Sequence, residues 1–289
     1  MLLQFIINGI ITGLLYSLLA IGFALVYNTT HIFHIAAAGI YVFAAYMFWL
    51  LAASLGVPVF VAAILAVILT MALSLLSEVV VYRPLRKKKT SLNVIMIASI
   101  GLMTVTINLI AMAFGNETKV IESSILKTFS FGEVIITTPQ LYQIIVSVVA
   151  IAAFLILIDR TKLGLRFRAL SSDATLFEAL GYNKQQSFTV AFLASGLFIG
   201  LASCVTVYDV GLDPNMGMTV LINAMVAMII GGTGKFKTCV LGGLVLGVLQ
   251  SLTVFWFASN WQNAITFALL LGFLFLRPQG IAGYKQRVV

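Results

Sequence analysis

The chain has 289 residues, of which 61% are hydrophobic and only 9% charged, whereas a soluble domain carries about 25% charged residues. That excludes an ordinary water-soluble fold. The net charge of +8 does not indicate a nucleic-acid partner either, because the basic residues form no single face and cluster in short segments between apolar runs.

Those runs recur from end to end at about 20 residues, enough to cross roughly 30 Å of hydrocarbon. The alternating ~10-residue segments of outer-membrane barrels are absent. The fold class is therefore an all-α polytopic membrane protein. It has about 8–9 transmembrane helices, one of them open to a break, and a short cytoplasmic helix. Residues 1–289 form one transmembrane domain.

The first 27 residues hold no Lys or Arg and an apolar run too long for a signal-peptide core, so they read as a retained first span. Spans are predicted near 4–27, 36–54, 59–82, 91–114, 140–158, 187–208, 219–233, 239–257 and 262–277. Between the first two, "NTTHIFHI" (28–35) is not a proper polar loop. Asn28, Thr30, His31 and His34 read as a polar break facing a translocation path, since irregular backbone is tolerated at membrane depth where it lines a cavity. A membrane-surface loop is the second reading. A metal pair is the third, weakly supported because no Asp, Glu or Cys lies beside the two histidines.

Four basic segments follow. "YRPLRKKKT" carries Arg83, Arg86, Lys87, Lys88 and Lys89; residues 159–186 carry Arg160, Lys162, Arg166, Arg168 and Lys184. "GKFK" supplies Lys235 and Lys237, and the tail adds Arg277, Lys285 and Arg287. Placing all four in the cytoplasm satisfies the positive-inside rule and puts the N-terminus outside and the C-terminus inside a bacterial inner membrane. The intervening segments agree: 115–139 sets Glu117, Glu122 and Glu133 against Lys119 and Lys127, and 209–218 has Asp209 and Asp213 without a base. The external 115–139 segment reads as a short helix or hairpin over the outer mouth.

All nine acids lie in loops or near span ends, Glu78 and Asp209 coming closest to membrane depth. No catalytic set and no metal set emerges, and no proton relay of the usual buried kind. Three glycine pairs stand at i, i+4: Gly9 with Gly13, Gly196 with Gly200, and Gly243 with Gly247. They read as helix packing before pore lining. Asn8, Asn108, Asn223 and Asn263 read as interhelical hydrogen-bond partners, with Asn223 kept as a candidate for the path. "GGTGKFKT" is a decoy for a phosphate loop: Phe236 follows Gly234-Lys235 where Ser or Thr is needed, and no strand precedes it. Gly231 and Gly232 read instead as the end of a span. Cys204 and Cys239 read as small packing residues.

Within 159–186 a helical, half-apolar pattern survives among the charges. Ser171, Ser172 and Asp173 suit a helix start, Thr175-x-x-Glu178 suits a capping box, and Gly181 suits a stop. Leu176, Phe177 and Leu180 give one apolar face, with Ala179 beside them. A helix this short is marginal alone in water and needs a surface, either the membrane interface or the groove of a cytoplasmic partner.

"LGLRFRALSSDATLFEALGYNKQQSFTVAFLASGLFIGLA" resembles the coupling segment and following span of the branched-chain amino acid ABC importer permeases. "GIITGLLYSLLAIGFALVY", "MIIGGTGKFKTCVLGGLVLGVLQ" and "FLRPQGIAG" are similar to three further stretches of that family in the same order. Where the family shows Asn-Phe-Ala-His-Gly, this chain has His34, Ile35, Ala36, Ala37 and Ala38, which removes polar groups from the segment expected to border the path, Ala37 included.

The resemblance implies a permease subunit carrying branched-chain or related apolar amino acids. It implies a second homologous permease, two cytoplasmic ATPase subunits and a periplasmic or lipid-anchored binding protein, with ATP and Mg bound by the ATPases and no cofactor in this chain. The docking role would fall to Ser172, Asp173, Leu176, Phe177, Glu178, Ala179, Leu180 and Gly181. An ATPase-independent carrier or channel for urea or a short amide is the alternative, and it leaves that helix without a purpose. An intramembrane enzyme lacks the paired groups it would need.

Overall fold

The computed structural model describes residues 1–121, 128–131, 134–232, 234–277 and 280–281. Helix α1 runs Leu2–Thr30, about 43 Å at 1.5 Å per residue. Of its most apolar stretch, 72% is buried inside the protein, so α1 is the centre of the bundle. It packs on α9 (Lys184–Val210), α10 (Met216–Gly231) and α11 (Thr238–Trp256). Helix α12 (Gln262–Leu276) and α5 (Leu92–Phe114) are at the rim, with 6% and 17% of their apolar windows buried.

The tight centre follows from glycine. A Cβ on Gly9 would stand 2.8 Å from the Cα of Val248, and one on Gly13 2.9 Å from that of Leu244, so α1 and α11 cross backbone to backbone. The partner helix supplies the matching pair. A Cβ on Gly243 would run into the backbone of Ser17, and one on Gly247 into the backbone of Gly13. Gly243 and Gly247 therefore face α1 and leave no room for a path between the two helices. Ser17 completes the crossing by donating its hydroxyl to the Val240 carbonyl at 2.8 Å. On the other flank, Gly196 lets α9 approach α3 (Val59–Ser77), where its Cβ would meet that of Ser74 at 2.8 Å.

Eight helical stretches among the described residues are long and apolar enough to cross a membrane. Two of them include π-helical turns: α2 (Ala37–Trp49) continues through Leu50–Ser54, and α3 through Glu78–Tyr82 into α4 (Arg83–Lys87). The span expected at 219–233 is α10, 16 residues long, about 24 Å and short of the hydrocarbon thickness. Thr233 lies outside the described residues. Before α10 the chain runs as irregular backbone, with Leu212 buried and exchanging both its backbone hydrogen bonds with Lys119 at 2.8 and 2.9 Å.

Of the helix or hairpin expected at 115–139, the structure has the strand pair: β1 (Thr128–Phe131) is antiparallel to β2 (Val134–Thr137), with Thr128 opposite Thr137. Glu122, Lys127 and Glu133 lie outside the described residues. Thr137 and Gln140 then form a capping box that starts α6 (Thr138–Arg160).

The bundle has two chemically distinct ends. At one, Gln4, Trp49, Lys119 and β2 meet. At the other lie residues 31–36, α4, the 161–183 segment and the 232–237 turn. Among the described residues, every Lys and Arg except Lys119 sits at this second end. Lys285 and Arg287 lie outside them.

Candidate translocation cavity and docking segment

Between α1, α6, α9 and α10, toward the Gln4 end, lies a cavity of ≈ 380 Å³. Its polar lining comes at helical steps: Asn8, Thr12 and Tyr16 on α1, and Gln140 and Gln143 on α6. Thr206 and Asp209 on α9, Thr219 and Asn223 on α10 and Tyr41 on α2 complete it, while Ile11, Leu15, Leu19 and Val220 give apolar patches.

The floor is a closed hydrogen-bond network. Tyr16 donates to Gln250 at 2.7 Å and accepts from Asn223 at 3.2 Å. Gln250 donates to Asn223 at 3.1 Å and to Thr266 at 2.5 Å, so α1, α10, α11 and α12 share one network. Below it the space shrinks to ≈ 10 Å³ beside Phe23, Ala37, Tyr41 and Leu221.

The sequence-predicted path residues are dispersed. Asn223 is on the cavity and Ala37 on the small void beneath it. Asn28 is buried near the basic end and accepts from the Gly234 N–H at 3.0 Å. Thr30 bonds back to the Val26 carbonyl at 2.7 Å. His31 is the exposed left-handed cap of α1, with φ 56°.

His34 is fully buried. Its Nδ1 is 2.8 Å from the Tyr82 hydroxyl, which is 2.7 Å from Ser99 Oγ, and Ser99 accepts from the Ala36 N–H. That chain pins the 31–36 break to α3 and α5. Asn108, expected to bond another helix, bonds Thr104 of its own, on an exposed face where no neighbour reaches it.

Of the cavity residues, sequence reasoning named Asn223 for the path and noted Asn8 and Asp209 for other reasons, but passed over Thr12, Tyr16, Gln140, Gln143, Thr206 and Thr219, which had a signal. Asn8/Thr12/Tyr16, Gln140/Gln143, Thr206/Asp209 and Thr219/Asn223 each repeat at i, i+3 or i+4, the spacing of one helix face.

At the basic end, 159–186 holds two helices where one was expected at 172–181: α7 (Lys162–Ser172) and α8 (Ala174–Ala179). Ser172 closes α7, and Asp173 alone caps α8. Its carboxylate accepts from the N–H groups of Thr175 and Leu176 at 2.8 and 3.0 Å and from the Thr175 hydroxyl at 2.6 Å. Chiefly the hydroxyl, then the two N–H groups, hold its pKa below the ordinary 3.8. Since Thr175 is used this way, the expected capping box does not form, and Glu178 pairs with Lys184 at 2.8 Å instead.

Gly181 ends α8 with φ +83°; its N–H bonds Glu178, and the Tyr182 N–H bonds Phe177, a paired closure that requires a left-handed residue. Phe177 is buried and stacks on Tyr182 at 5.1 Å. Leu176 and Leu180, by contrast, are 56% and 66% exposed. A groove of ≈ 570 Å³ opens on the Phe177 side instead, lined by Arg166, Phe167, Phe177, Tyr182 and Gln186 among others.

Two further ion pairs brace this end. Glu78, fully buried, pairs with Arg86 and accepts from Gln185 at 2.7 Å, and the Arg86 guanidinium lies 4.6 Å over Phe188. Lys237 reaches Asp159 at 2.6 Å, tying the 232–237 turn to the end of α6.

A membrane-crossing helical bundle with a polar cavity among its central helices has the build of a solute permease. Residues 5–274 match the family described as "Branched-chain amino acid transport system / permease component", and the chain belongs to that family. It is 28% identical over 298 residues to the high-affinity branched-chain amino acid transport system permease protein BraD of Pseudomonas aeruginosa, covering 98% of this chain and 96% of that one. It is 27% identical over 298 residues to LivH, named as the same kind of permease protein, of Escherichia coli strain K12, with the same coverage. Among solved structures, "PsaBC from Streptococcus pneumoniae in complex with Fab" shares the fold at 17% identity and a TM-score of 0.51, over 94% of this chain and 91% of that one.

Proposed function

We propose that this chain is the membrane subunit of an ATP-driven importer for branched-chain or related apolar amino acids, and that the cavity is the outer part of its path. One observation carries the reading: α7–α8 is the connection between α6 and α9, and both helices line the cavity at their far ends. A partner pressing on that connection moves two cavity walls directly. Leu176 and Leu180, exposed on a helix too short to stand alone, offer the apolar contact.

The partners in this reading are a second homologous permease, two cytoplasmic ATPases that bind ATP and Mg, and a periplasmic or lipid-anchored binding protein. The concentration of Lys and Arg at the α7–α8 end supports a cytoplasmic placement for it, with the N-terminus outside. The relatives' names support the substrate class. Asn28, Thr30, His31 and His34, at the basic end, then belong to the inner exit.

The test is reconstitution of the complete complex in liposomes with leucine and binding protein outside. Uptake should require ATP in the lumen, and ATPase subunits should co-purify with this chain in mild detergent. Leucine entry at the same rate without ATP would refute the reading.

A further inference from the structure

The hydrogen-bond orientations around the outer cavity separate spent groups from free ones. Gln4 is fixed by backbone: its Oε1 accepts from the Ile135 N–H at 2.8 Å and its Nε2 donates to the Ile135 carbonyl at 3.0 Å. The same Nε2 donates to Asn8 Oδ1 at 3.0 Å, so the carbonyl side of the Asn8 amide is occupied. Gln140 is fixed likewise, because its Oε1 accepts from the Thr137 N–H at 3.1 Å. Both residues line the cavity, and both amides therefore keep NH₂ groups that have no acceptor among the described residues. The amide assignment rests on backbone donors, which leave no alternative flip.

Asp209 supplies the opposite chemistry. Exposed at the mouth, it is the one ionisable carboxylate among the residues lining the cavity, and no hydrogen bond or ion pair from the described residues reaches it. The floor differs: Tyr16, Asn223 and Gln250 satisfy one another. The mouth thus carries two vacant N–H donors and one unmatched carboxylate, above the apolar Ile11, Leu15 and Leu19.

We infer that the outer cavity is a receptor for a zwitterionic α-amino acid, its carboxylate held by the Asn8 and Gln140 amides and its ammonium by Asp209. A neutral amide would leave Asp209 unmatched. A simple cation would leave the two NH₂ groups vacant, and a simple anion would be repelled by Asp209. An apolar side chain then lies against Ile11, Leu15 and Leu19. The volume of ≈ 380 Å³ falls in the range of small-ligand pockets, roughly 300–1,000 Å³. This rests on the importer reading and names how its substrate is recognised.

The experiment uses the full-length chain in lipid nanodiscs, titrated with leucine, 4-methylpentanoate (no ammonium) and leucinamide (no carboxylate), with binding read by saturation-transfer NMR. Leucine should bind about fivefold more tightly than 4-methylpentanoate, as befits an ion pair that keeps part of its water. Its margin over leucinamide should be about tenfold, for charge-assisted amide bonds. Asp209→Asn should erase the first difference and keep the second; Asn8→Leu with Gln140→Leu should do the reverse. Equal binding of all three, no leucine binding, or variants that leave both margins intact would overturn the inference. ATP-driven leucine uptake by the complete complex is measured alongside. Uptake without these margins sinks the receptor alone; leucine binding with ATP-independent entry sinks the importer reading alone.

Discussion

Replacing the exposed leucines of α8 and its C-cap, Leu176→Asp with Leu180→Asp, separates docking from folding. The more obvious target, Phe177, cannot do so. It is 2% exposed and stacks on Tyr182, and removing a buried Phe costs about 3–5 kcal/mol, more than a six-residue helix can lose. Leu176 and Leu180 are 56% and 66% exposed, so exchanging them costs the isolated subunit about 0.5 kcal/mol or less. Burying a whole leucine side chain is worth about 1.5–3 kcal/mol; scaled by these exposures, each contributes about 1–2 kcal/mol in a partner's groove. The pair together then weakens ATPase docking by about 30-fold to 1,000-fold. The assay is recovery of ATPase subunits with the detergent-purified chain, plus ATP-driven uptake, at matched membrane insertion. Normal recovery and normal uptake in the double variant would refute the reasoning.

Three further outcomes follow from the packing. Glu78→Gln leaves Arg86 facing a neutral amide in a buried site, which should cost about 3 kcal/mol and show as a lower detergent unfolding temperature; an unchanged value would mean the pair is solvated. Gly13→Val drives a side chain into the Leu244 backbone and should cost about 3 kcal/mol, whereas Gly101→Ala, with open space around it, should be neutral; equal effects would dismiss the α1–α11 crossing as the cause. The Asp173 cap has a depressed folded pKa, so it is fully present above pH 3.8 and lost as pH falls through the lower folded value. The protection factors of the Thr175 and Leu176 amides should therefore be constant from neutral pH to about 4 and fall only below it, and Asp173→Asn should remove that acid dependence; protection that falls before pH 4 argues against the carboxylate as cap.

The bundle was legible because its signals are periodic and local. Long apolar runs gave the spans, basic loops gave a common end, and Asp173 and Gly181 bracketed α8 from residue type alone. The α7–α8 boundary was not, because Ser172 and Asp173 are both good caps, and only the backbone geometry shows that Asp173 takes both free N–H groups. Spacing likewise marked Gly13 and Gly247 as members of small-residue pairs, but not that the two pairs meet each other across α1 and α11. The cavity was harder for a different reason. Asn8, Gln140 and Asp209 are each an ordinary single polar residue near a span end, and what makes them a set is three helices folding together. His34 shows the converse: a conspicuous residue in an odd stretch, which the fold uses to hold Tyr82 and Ser99.

The cavity and the proposed docking segment lie at opposite ends, yet no chain of intermediaries is needed to couple them. Helix α6 carries Gln140 at its start and Asp159 near its end, and α9 begins beside Glu78's partner Gln185 and reaches Asp209 near its own end. Each is a single rigid rod of more than 20 residues, about 34–40 Å long. Tilting such a rod about its waist moves both ends at once, in opposite senses. For α9 the pivot is at its middle, where Gly196 and Gly200 hold it against α3, while α6 is tied to α1 near its outer end, by Gln143 donating to the Ile11 carbonyl at 3.0 Å. The Glu78–Arg86–Gln185 brace and the Lys237–Asp159 pair then set the resting tilt at the docking end. A displacement that opens the α7–α8 end should therefore narrow the span between Gln140 and Asp209, the gap that the inferred zwitterion bridges. Spin labels on α6 and α9 at the outer end, read with and without ATP in the complete complex, should move toward each other as labels at the inner end move apart. Labels at both ends that move in the same sense would show that the helices do not pivot.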